Sequence, residues 1–468
     1  MLIPLIVACA LFMENLDSTV LATSLPSIAQ SFGESPVRLS FAITSYLFSL
    51  AVFIPISGWV ADRCGAKNVF RGAIVVFLTG SILCGLSNSL WQMVAARMLQ
   101  GLGGAMMVPV GRLVLLRSVA KADLVSAMAW LTVPALIGPV IGPLLGGFIT
   151  TYFHWRWIFW INVPIAILGL ILVTLFIPAG REPPPPAFDT VGFVLTAAGL
   201  VGLMFGFETI GRDIVPSWAS ALLLCLGLVC MLLFVQHASR IAHPVLDLRL
   251  LGVRTFRASV TGGFLFRMGI GALPFLLPLL LQTGFGLSAF ESGQLTFAAA
   301  LGALTMKLVA KPILRRFGFR RVLLSNAALS GLSLAAIALF RPDTPHALIL
   351  AVLLIGGFFR SLQFTSINTL GYADIDQQRM SRATSFASMA QQLSLSAGVA
   401  SGAVLLHFTM VARGGASVQP RDFVPAFLGV GAMALASALV YLRLPSDAGA
   451  EVSGHLPAMA AQGHARDR

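Results

Sequence analysis

The chain alternates long apolar stretches with short polar connections, and the apolar stretches indicate its architecture. Fourteen of them have the length of a membrane-spanning helix, which is about 20 residues. They are centred near residues 14, 48, 78, 103, 137, 166, 199, 227, 268, 302, 330, 357, 394 and 432. The pattern predicts an all-α integral membrane protein with 14 transmembrane helices. An even number of crossings places both termini on the same side of the bilayer.

The composition excludes a water-soluble domain. Hydrophobic residues make up 57% of the chain, charged residues only 10%, and the mean hydropathy is +0.88. The net charge is +13, but most of the 31 Lys and Arg fall in loops and a tail that are cytoplasmic when the N-terminus is inside. We therefore expect cytoplasmic termini and basic loops that face anionic membrane lipid, with no nucleic acid as a partner.

Polar connections divide the chain into parts. A proline-rich linker occupies 181–189 and a basic connector occupies 240–257. Short basic turns at 58–71 and 310–321 hold matching places on either side, as expected for repeated halves with a substrate site at their interface. We predict a six-helix bundle at 1–180, a linker with spans seven and eight at 181–255, a six-helix bundle at 256–444 and a disordered tail at 445–468.

The fifth span contains a run of small residues and prolines, GPVIGPLLGG at 138–147. Glycines at every fourth position leave one helix face bare, so a neighbouring helix can approach closely. The prolines remove backbone donors and favour a bend. We interpret the run as a bent, close-packed helix in a protein whose halves rock around a central site. A tightly packed helix with no special role is the alternative. The residues are Gly138, Pro139, Gly142, Pro143, Gly146 and Gly147.

Two carboxyl groups lie within the first span, where an ionisable residue is costly and points to function. Glu14 and Asp17 are three residues apart and share a helix face. Counting about 1.5 Å per residue places Asp17 and Arg97 at similar depth in the outer half of the membrane. If a rocking motion changes their separation, it changes the proton affinity of the carboxyl and couples protons to transport. The alternative is a static buried ion pair.

Two arginines lie near the middle of spans in the second half, Arg267 in span nine and Arg360 in span twelve. No acidic residue is close to them along the sequence of that half. Gln363 and Asn368 add polar groups after Arg360, and we expect all four side chains to line a substrate cavity. Such a cavity favours an organic anion or another polar metabolite. Lys307 in span ten lies nearer the inner surface, where its side chain can extend to the headgroups.

Several kinds of site are excluded by their motifs. No ATP-binding loop of the form GxxxxGK[ST] occurs, and the seven His form no HExxH zinc motif. His243 and Asp247 lack a third ligand nearby, so we expect a loop hydrogen bond there. The five Cys form no CxxC pair, so we expect neither a disulfide framework nor a metal. We predict that the chain is not an enzyme; a non-transporting membrane sensor is the remote alternative.

The motifs together resemble the major facilitator superfamily. More narrowly, their order and spacing are similar to its fourteen-helix drug:proton antiporter family of the EmrB/QacA type, over essentially the whole chain. The segment FFRSLQFTSINTL at 358–370 resembles the MdtD-like members. Glu14 departs from the family pattern. The segments that carry the resemblance are ENLDSTVLATSLP at 14–26, GWVADRCGAKNVFR at 58–71, RMLQGLGGAMMVPVGRL at 97–113, GPVIGPLLGG at 138–147 and HWRWIFWINVP at 154–164.

The resemblance implies a major facilitator fold in a bacterial inner membrane, with two six-helix halves plus two extra helices. It implies proton-coupled export of drugs or toxic compounds, with the proton gradient as energy source and no cofactor. We expect a monomer.

The turn after the second span resembles the cytoplasmic gating turn of the family, in which a carboxylate contacts helix ends and Arg side chains. Arg112 or Arg117 is the expected partner of its carboxylate, and a plain solvated loop is the alternative. The turn residues are Gly58, Asp62, Arg63 and Gly65.

Overall fold

The structure, a computed structural model, describes residues 2–34, 36–178, 187–209, 216–414 and 418–455. The first part of the chain forms eight helices, because apolar segments in a bilayer must satisfy their backbone hydrogen bonds internally. These helices are α1 (Leu2–Phe32), α2 (Pro36–Phe53), α3 (Ser57–Cys64), α4 (Ala66–Leu86), α5 (Leu90–Ser118), α6 (Leu124–Tyr152), α7 (Trp157–Trp160) and α8 (Asn162–Phe176).

The rest of the chain forms nine more helices within the described ranges, and no strand occurs in those ranges. The predicted all-α membrane fold is therefore confirmed. These helices are α9 (Thr190–Thr209), α10 (Ser217–Ala238), α11 (Arg254–Gly271), α12 (Leu273–Leu279), α13 (Ala289–Ile337), α14 (His346–Leu370), α15 (Met380–Ala412), α16 (Phe423–Tyr441) and α17 (Ala450–Ser453).

All fourteen predicted span centres lie within helices. Over the described residues, eleven helices are long and apolar enough to cross a membrane, or twelve when α2 and α3, which meet at 62°, count as one span. One of the eleven is α13, whose 49 residues sum to about 74 Å of helix, more than twice the roughly 30 Å of the hydrocarbon core. Gly318, at φ 73°, breaks α13 between two spans. The helix α6 is not among the eleven and has 29 residues, some with undescribed side chains. The count of fourteen crossings stays a prediction.

The two halves meet along two seams. On one, α6 contacts α13 and α14; on the other, α3 and α5 contact α15. The extra helices α9 and α10 pack on each other, and α9 also contacts α2 and α15. The outer face of α10 is apolar and exposed, with Leu226 at 53% and Leu232 at 61%. This is the arrangement expected of a helix that faces lipid.

The prediction of a disordered tail was wrong for residues 446–455. They form turns and the short helix α17, in which Val452 is 2% exposed. Gly449 lies against the ring of Phe319, and Lys121 Nζ contacts Glu451 Oε2 at 2.9 Å. A few apolar side chains are enough to fold this segment back onto the bundle. Residues 456–468, and 179–186 of the linker, lie outside the described residues, and the other domain boundaries stay predictions.

Candidate functional site

Asp17 lies at the centre of a buried polar cluster in the first half. Its Oδ2 accepts a hydrogen bond from Arg97 Nη1 at 2.5 Å. Its Oδ1 accepts from Gln100 Nε2 at 2.9 Å and from Asn162 Nδ2 at 3.0 Å. All four side chains are at most 3% exposed. We refer to these four residues as the Asp17 cluster. Both oxygens of its carboxylate are hydrogen-bonded, as a buried anion requires.

Four helices position the Asp17 cluster. The carboxylate comes from α1, Arg97 and Gln100 from α5, and Asn162 from α8. From α4, Ser81 Oγ accepts from Asn162 Nδ2 at 3.0 Å. Gly80 lets α4 approach α5, because a Cβ at Gly80 would lie 2.6 Å from the backbone nitrogen of Gln100.

Sequence reasoning identified Asp17 and Arg97 but missed Gln100 and Asn162. Both missed residues are polar side chains inside apolar spans, a feature by which the sequence could have identified them. The proton-coupling role of the pair stays a prediction.

Glu14 has a different environment from Asp17, although the two share a helix face. Its Oε1 accepts from the hydroxyl of Tyr46 at 3.2 Å. The ring of Tyr46 in turn lies 4.7 Å from the guanidinium carbon of Arg97. Glu14 Oε2 is buried and has no hydrogen-bond partner among the described residues. Tyr46 thus connects the second carboxyl to the Asp17 cluster.

The small-residue run of α6 lies against the helix that carries both carboxyls. A Cβ at Gly138 would lie 2.9 Å from Asn15 Cβ, and one at Gly142 would lie 2.7 Å from Thr19 Cβ. Thr19 Oγ1 donates to the Gly138 carbonyl at 3.3 Å. The backbones of α1 and α6 are therefore in direct contact beside Asp17.

The other residues of the small-residue run of α6 differ from Gly138 and Gly142 in their packing. Gly146 is buried, whereas a Cβ at Gly147 would meet nothing within 4 Å. The side chains of Pro139 and Pro143 lie outside the described residues, so the predicted bend stays a prediction.

The predicted gating turn joins the two halves. Asp62 Oδ2 accepts from Ser381 Oγ of α15 at 2.6 Å, and its Oδ1 accepts from Arg117 Nη2 at 3.4 Å. The hydroxyls of Ser57 and Ser385 lie 2.8 Å apart. A Cβ at Gly58 would lie 2.7 Å from the Ser381 carbonyl oxygen, so the turn packs directly on α15. These contacts of α3 with α15 hold the two halves together at the end of the protein where the turn lies.

The remaining residues of the turn are peripheral to that contact. Arg63 is exposed, and Gly65 adopts φ 82°, a left-handed value that favours glycine.

Placing Arg112 in the gating turn was wrong. Its Nη1 donates to the Tyr372 hydroxyl at 3.2 Å and its Nη2 approaches Gln391 Oε1 at 3.5 Å. Residues five apart on an α-helix project in different directions, so Arg112 and Arg117 cannot serve the same contact. Arg112 instead reaches across to the second half.

The second half contains a buried polar cluster of its own. Arg267 Nη2 donates to Asn368 Oδ1 at 2.9 Å, and the Arg267 guanidinium lies 5.4 Å from the ring centre of Phe364. Tyr441 lies against Gly262, the residue before Gly263, which the Arg267 guanidinium contacts, and Gln363 precedes Phe364 on α14. We refer to Arg267, Gln363, Asn368 and Tyr441 as the Arg267 cluster. Within the described ranges, both amide atoms of Gln363, Arg267 Nε, Asn368 Nδ2 and the Tyr441 hydroxyl have no hydrogen-bond partner.

The predicted substrate-cavity residues are only partly brought together. A small cavity is lined by Arg267, Asn368 and Tyr372, but not by Arg360 or Gln363. Arg360 is 9% exposed and lies beside Gly356 of its own helix.

The expectations for two other polar residues, Lys307 and Asp247, are met in one case and not in the other. Lys307 does not extend to the headgroups, because its Nζ donates to Thr365 Oγ1 at 2.8 Å. Asp247 makes the expected loop hydrogen bond: its Oδ1 accepts from the backbone N–H of Arg249 at 3.0 Å.

Comparison with known proteins gives the family. The family model described as Major Facilitator Superfamily matches residues 7–399 and, in an overlapping match, 259–458. The MdtD protein of Klebsiella pneumoniae subsp. pneumoniae, named for multidrug resistance, is 39% identical over 455 residues, covering 95% of this chain and 94% of the relative. MdtD of Pectobacterium atrosepticum is 39% identical over 446 residues, covering 94% of this chain and 95% of the relative.

Solved structures share the fold at low sequence identity. The human organic anion transporter MFSD10 has a TM-score of 0.67 at 16% identity, covering 94% of this chain and 99% of its own. The proton:xylose symporter XylE has a TM-score of 0.65 at 16% identity, covering 97% of this chain and 98% of its own. The chain therefore belongs to the major facilitator superfamily, as a multi-pass membrane transporter similar over 95% of its length to MdtD proteins named for multidrug resistance.

Proposed function

We propose that this transporter is an antiporter that exports drugs or other toxic small molecules from the bacterial cytoplasm in exchange for protons. The multidrug-resistance name of relatives at 39% identity supports this cargo. Because the sequence has no ATP-binding loop, the proton gradient is the energy source and no cofactor takes part. The chain works as a monomer, is not an enzyme, and lies in the inner membrane with its basic loops against anionic lipid.

The single observation that carries the proposal is the Asp17 cluster. Protonation of Asp17 neutralises the carboxylate that compensates the buried charge of Arg97. Without that compensation, the partners of the guanidinium among the described residues are neutral: the Gln100 amide, the Ala42 carbonyl and the Tyr46 ring. The arrangement of α1, α5 and α8 around Asp17 then becomes less favourable, so the proton biases the equilibrium between the two orientations of the halves.

Glu14 extends this coupling to a second carboxyl. Its Oε2 has no partner in the described part of the chain, whereas both Asp17 oxygens are occupied. Glu14 therefore exchanges a proton without breaking an ion pair, and Tyr46 transmits the change in charge to Arg97. Two carboxyls that are linked through Tyr46 and Arg97 are consistent with more than one proton per cycle.

The test uses purified protein in proteoliposomes with an imposed pH gradient and ethidium as the transported probe. Asp17→Asn keeps the shape of the side chain but cannot titrate, so we expect gradient-driven transport to be lost while equilibrium binding of ethidium survives. Glu14→Gln is expected to change the number of protons exchanged per ethidium. Asp343→Asn, at an exposed position, is the matched control. Transport by Asp17→Asn at the wild-type rate would favour the static ion pair.

Membrane orientation is tested separately. Cys64 is exposed and is the last residue of α3. With the other four Cys replaced, we expect a membrane-impermeant thiol reagent to label Cys64 only from the cytoplasmic side, and a reporter fused near Pro216 to be external. Labelling from outside the cell contradicts the orientation.

A further inference from the structure

Two arginines from different halves meet at one buried place. Arg112 of α5 is 5% exposed and Arg267 of α11 is 3% exposed. Arg112 donates to the hydroxyl of Tyr372, and Tyr372 lines the cavity that Arg267 and Asn368 also line. Tyr372 is thus a neighbour that the two buried arginines share.

No carboxylate pairs with either arginine in the described part of the chain. The ion pairs in that part of the chain are formed by basic side chains other than Arg112 and Arg267. The polar groups from the surrounding helices are neutral: Asn368 of α14, Gln391 of α15 and Tyr372 after α14. Asp374 is exposed and accepts from Thr255. Two buried like charges are thus left without an opposite charge, which is costly in a membrane.

Among Arg112 and the residues that line the cavity, the buried polar atoms without a hydrogen-bond partner in the described structure are donors. Arg112 Nε, Arg267 Nε and Asn368 Nδ2 are buried and have no acceptor among the residues described. The cavity between Ser259, Arg267, Asn368 and Tyr372 has room for one water-sized group. A water molecule can accept from one or two of these donors, but it does not offset the charge. A small anion meets both requirements.

We propose that a monatomic inorganic anion the size of chloride binds in this cavity at Arg267, beside Tyr372, to which Arg112 donates, since a carboxylate group is larger than the space in the cavity. The site needs both halves, since α5 supplies one arginine and α11 the other. It therefore exists only when the halves are closed at the end where Ser381 contacts Asp62. Anion binding favours that closed orientation, because a ligand stabilises the conformation that it binds. The inference is independent of proton coupling, with which it shares no residue.

The experiment measures the midpoint of thermal unfolding of the full-length protein in detergent. Sodium isethionate is replaced stepwise by sodium chloride or by sodium acetate at constant ionic strength. We expect a saturable rise of the midpoint, since a ligand that binds only the folded state stabilises it by mass action. Saturation by chloride with no response to acetate is the expected result, and saturation by acetate alone overturns the assignment to a monatomic anion. Saturation by both anions at similar concentrations also overturns that assignment, because acetate exceeds the space in the cavity.

Variants assign the effect to the two arginines. Arg112→Gln and Arg267→Gln are each expected to weaken the apparent affinity at least tenfold, and Arg341→Gln, at an exposed position, to leave it unchanged. Asn368→Ala, which removes one donor and no charge, is expected to weaken it less and serves if an arginine variant does not fold. A midpoint that responds to neither anion, or responds equally in the wild type and all variants, overturns the proposal.

Discussion

The two halves each bury a polar cluster, and the clusters differ in how completely their members are paired. In the Asp17 cluster, a carboxylate faces a guanidinium and neutral amides occupy the remaining oxygen. In the Arg267 cluster, the guanidinium has one neutral partner and several donors and acceptors stay open in the described structure. The first cluster is electrically balanced within the protein, whereas the second carries a net positive charge.

This difference separates two kinds of buried charge in one fold. A balanced pair is sensitive to the loss of either member, because the other is then left alone in an apolar interior. In an unbalanced cluster the charge already lacks an opposite charge within the protein, so its stabilisation depends on solvent or on a ligand. The comparison predicts opposite responses to removing one arginine from each half.

The largest expected effect is on the stability of the first half. Arg97→Met leaves Asp17 uncompensated, so we expect the free energy of unfolding to fall by about 3 to 5 kcal/mol. Arg267→Met is the matched comparison, and we expect a loss of about 1 kcal/mol or less, since no carboxylate is left behind. Unfolding by denaturant in mixed micelles, with isethionate as the only anion, measures both. Equal losses in the two variants would show that the two clusters do not differ in this way.

A double variant sharpens the same comparison. Asp17→Asn combined with Arg97→Gln removes both charges, and we expect it to recover most of the stability lost by either single change. Gradient-driven transport should stay absent, because no titratable group remains at this position. Additive losses would contradict a direct interaction of the two charges.

A smaller effect is expected at the helix contact that supports the Asp17 cluster. Gly142→Val forces side-chain atoms against Thr19, so we expect a loss of about 1 to 3 kcal/mol from overpacking. Gly147→Val lies on the same helix in open space and is expected to cost less than about 1 kcal/mol. The same denaturant series measures both. A similar cost at the two positions would indicate a helix-propensity effect and no role for the α1 contact.

The contact between the halves is expected to respond more weakly still. Ser381→Ala removes the hydrogen bond to Asp62, which contributes roughly 1 kcal/mol, a factor of about five in the population of the closed state. A cysteine at the buried position Ala61, in a background without other cysteines, should then react faster with a thiol reagent. Ser325→Ala, whose hydroxyl bonds only within its own helix, should not change the rate. An unchanged rate in Ser381→Ala would mean that other contacts hold this end closed.

The smallest effect concerns the folded segment 446–455. The hydrogen bond and charge of Lys121 lower the pKa of Glu451 below its ordinary value of 4.5. A lowered pKa means that the ion pair contributes above about pH 4.5 and is lost as the pH falls through the lowered value. Hydrogen exchange in this segment, corrected for the intrinsic effect of pH, should therefore accelerate in acid. Glu451→Gln should remove that dependence, and a persistent dependence would implicate another group.

The fold was predictable from the sequence because membrane crossings require long apolar helices, and these dominate the composition. The pairing of Asp17 with Arg97 was predictable because buried charges require partners, and helix counting placed both at one depth. The roles of Gln100 and Asn162 were not, since a neutral amide in an apolar span has many possible partners. The choice between Arg112 and Arg117 depended on the rotation of α5 relative to α3, which carries Asp62, and helix periodicity within α5 does not determine that rotation.

The position of α9 has a consequence for access from the bilayer. Because α9 packs on α2 and α15, it covers one of the two seams between the halves, with Phe205 against Phe48. A hydrophobic compound dissolved in lipid finds that seam shielded by α9 and α10. The other seam, where α6 meets α13 and α14, has no such inserted pair beside it in the described structure. The protein is therefore asymmetric towards the membrane, with one lateral flank closed by an inserted helical hairpin and the opposite flank formed by the transporter halves alone.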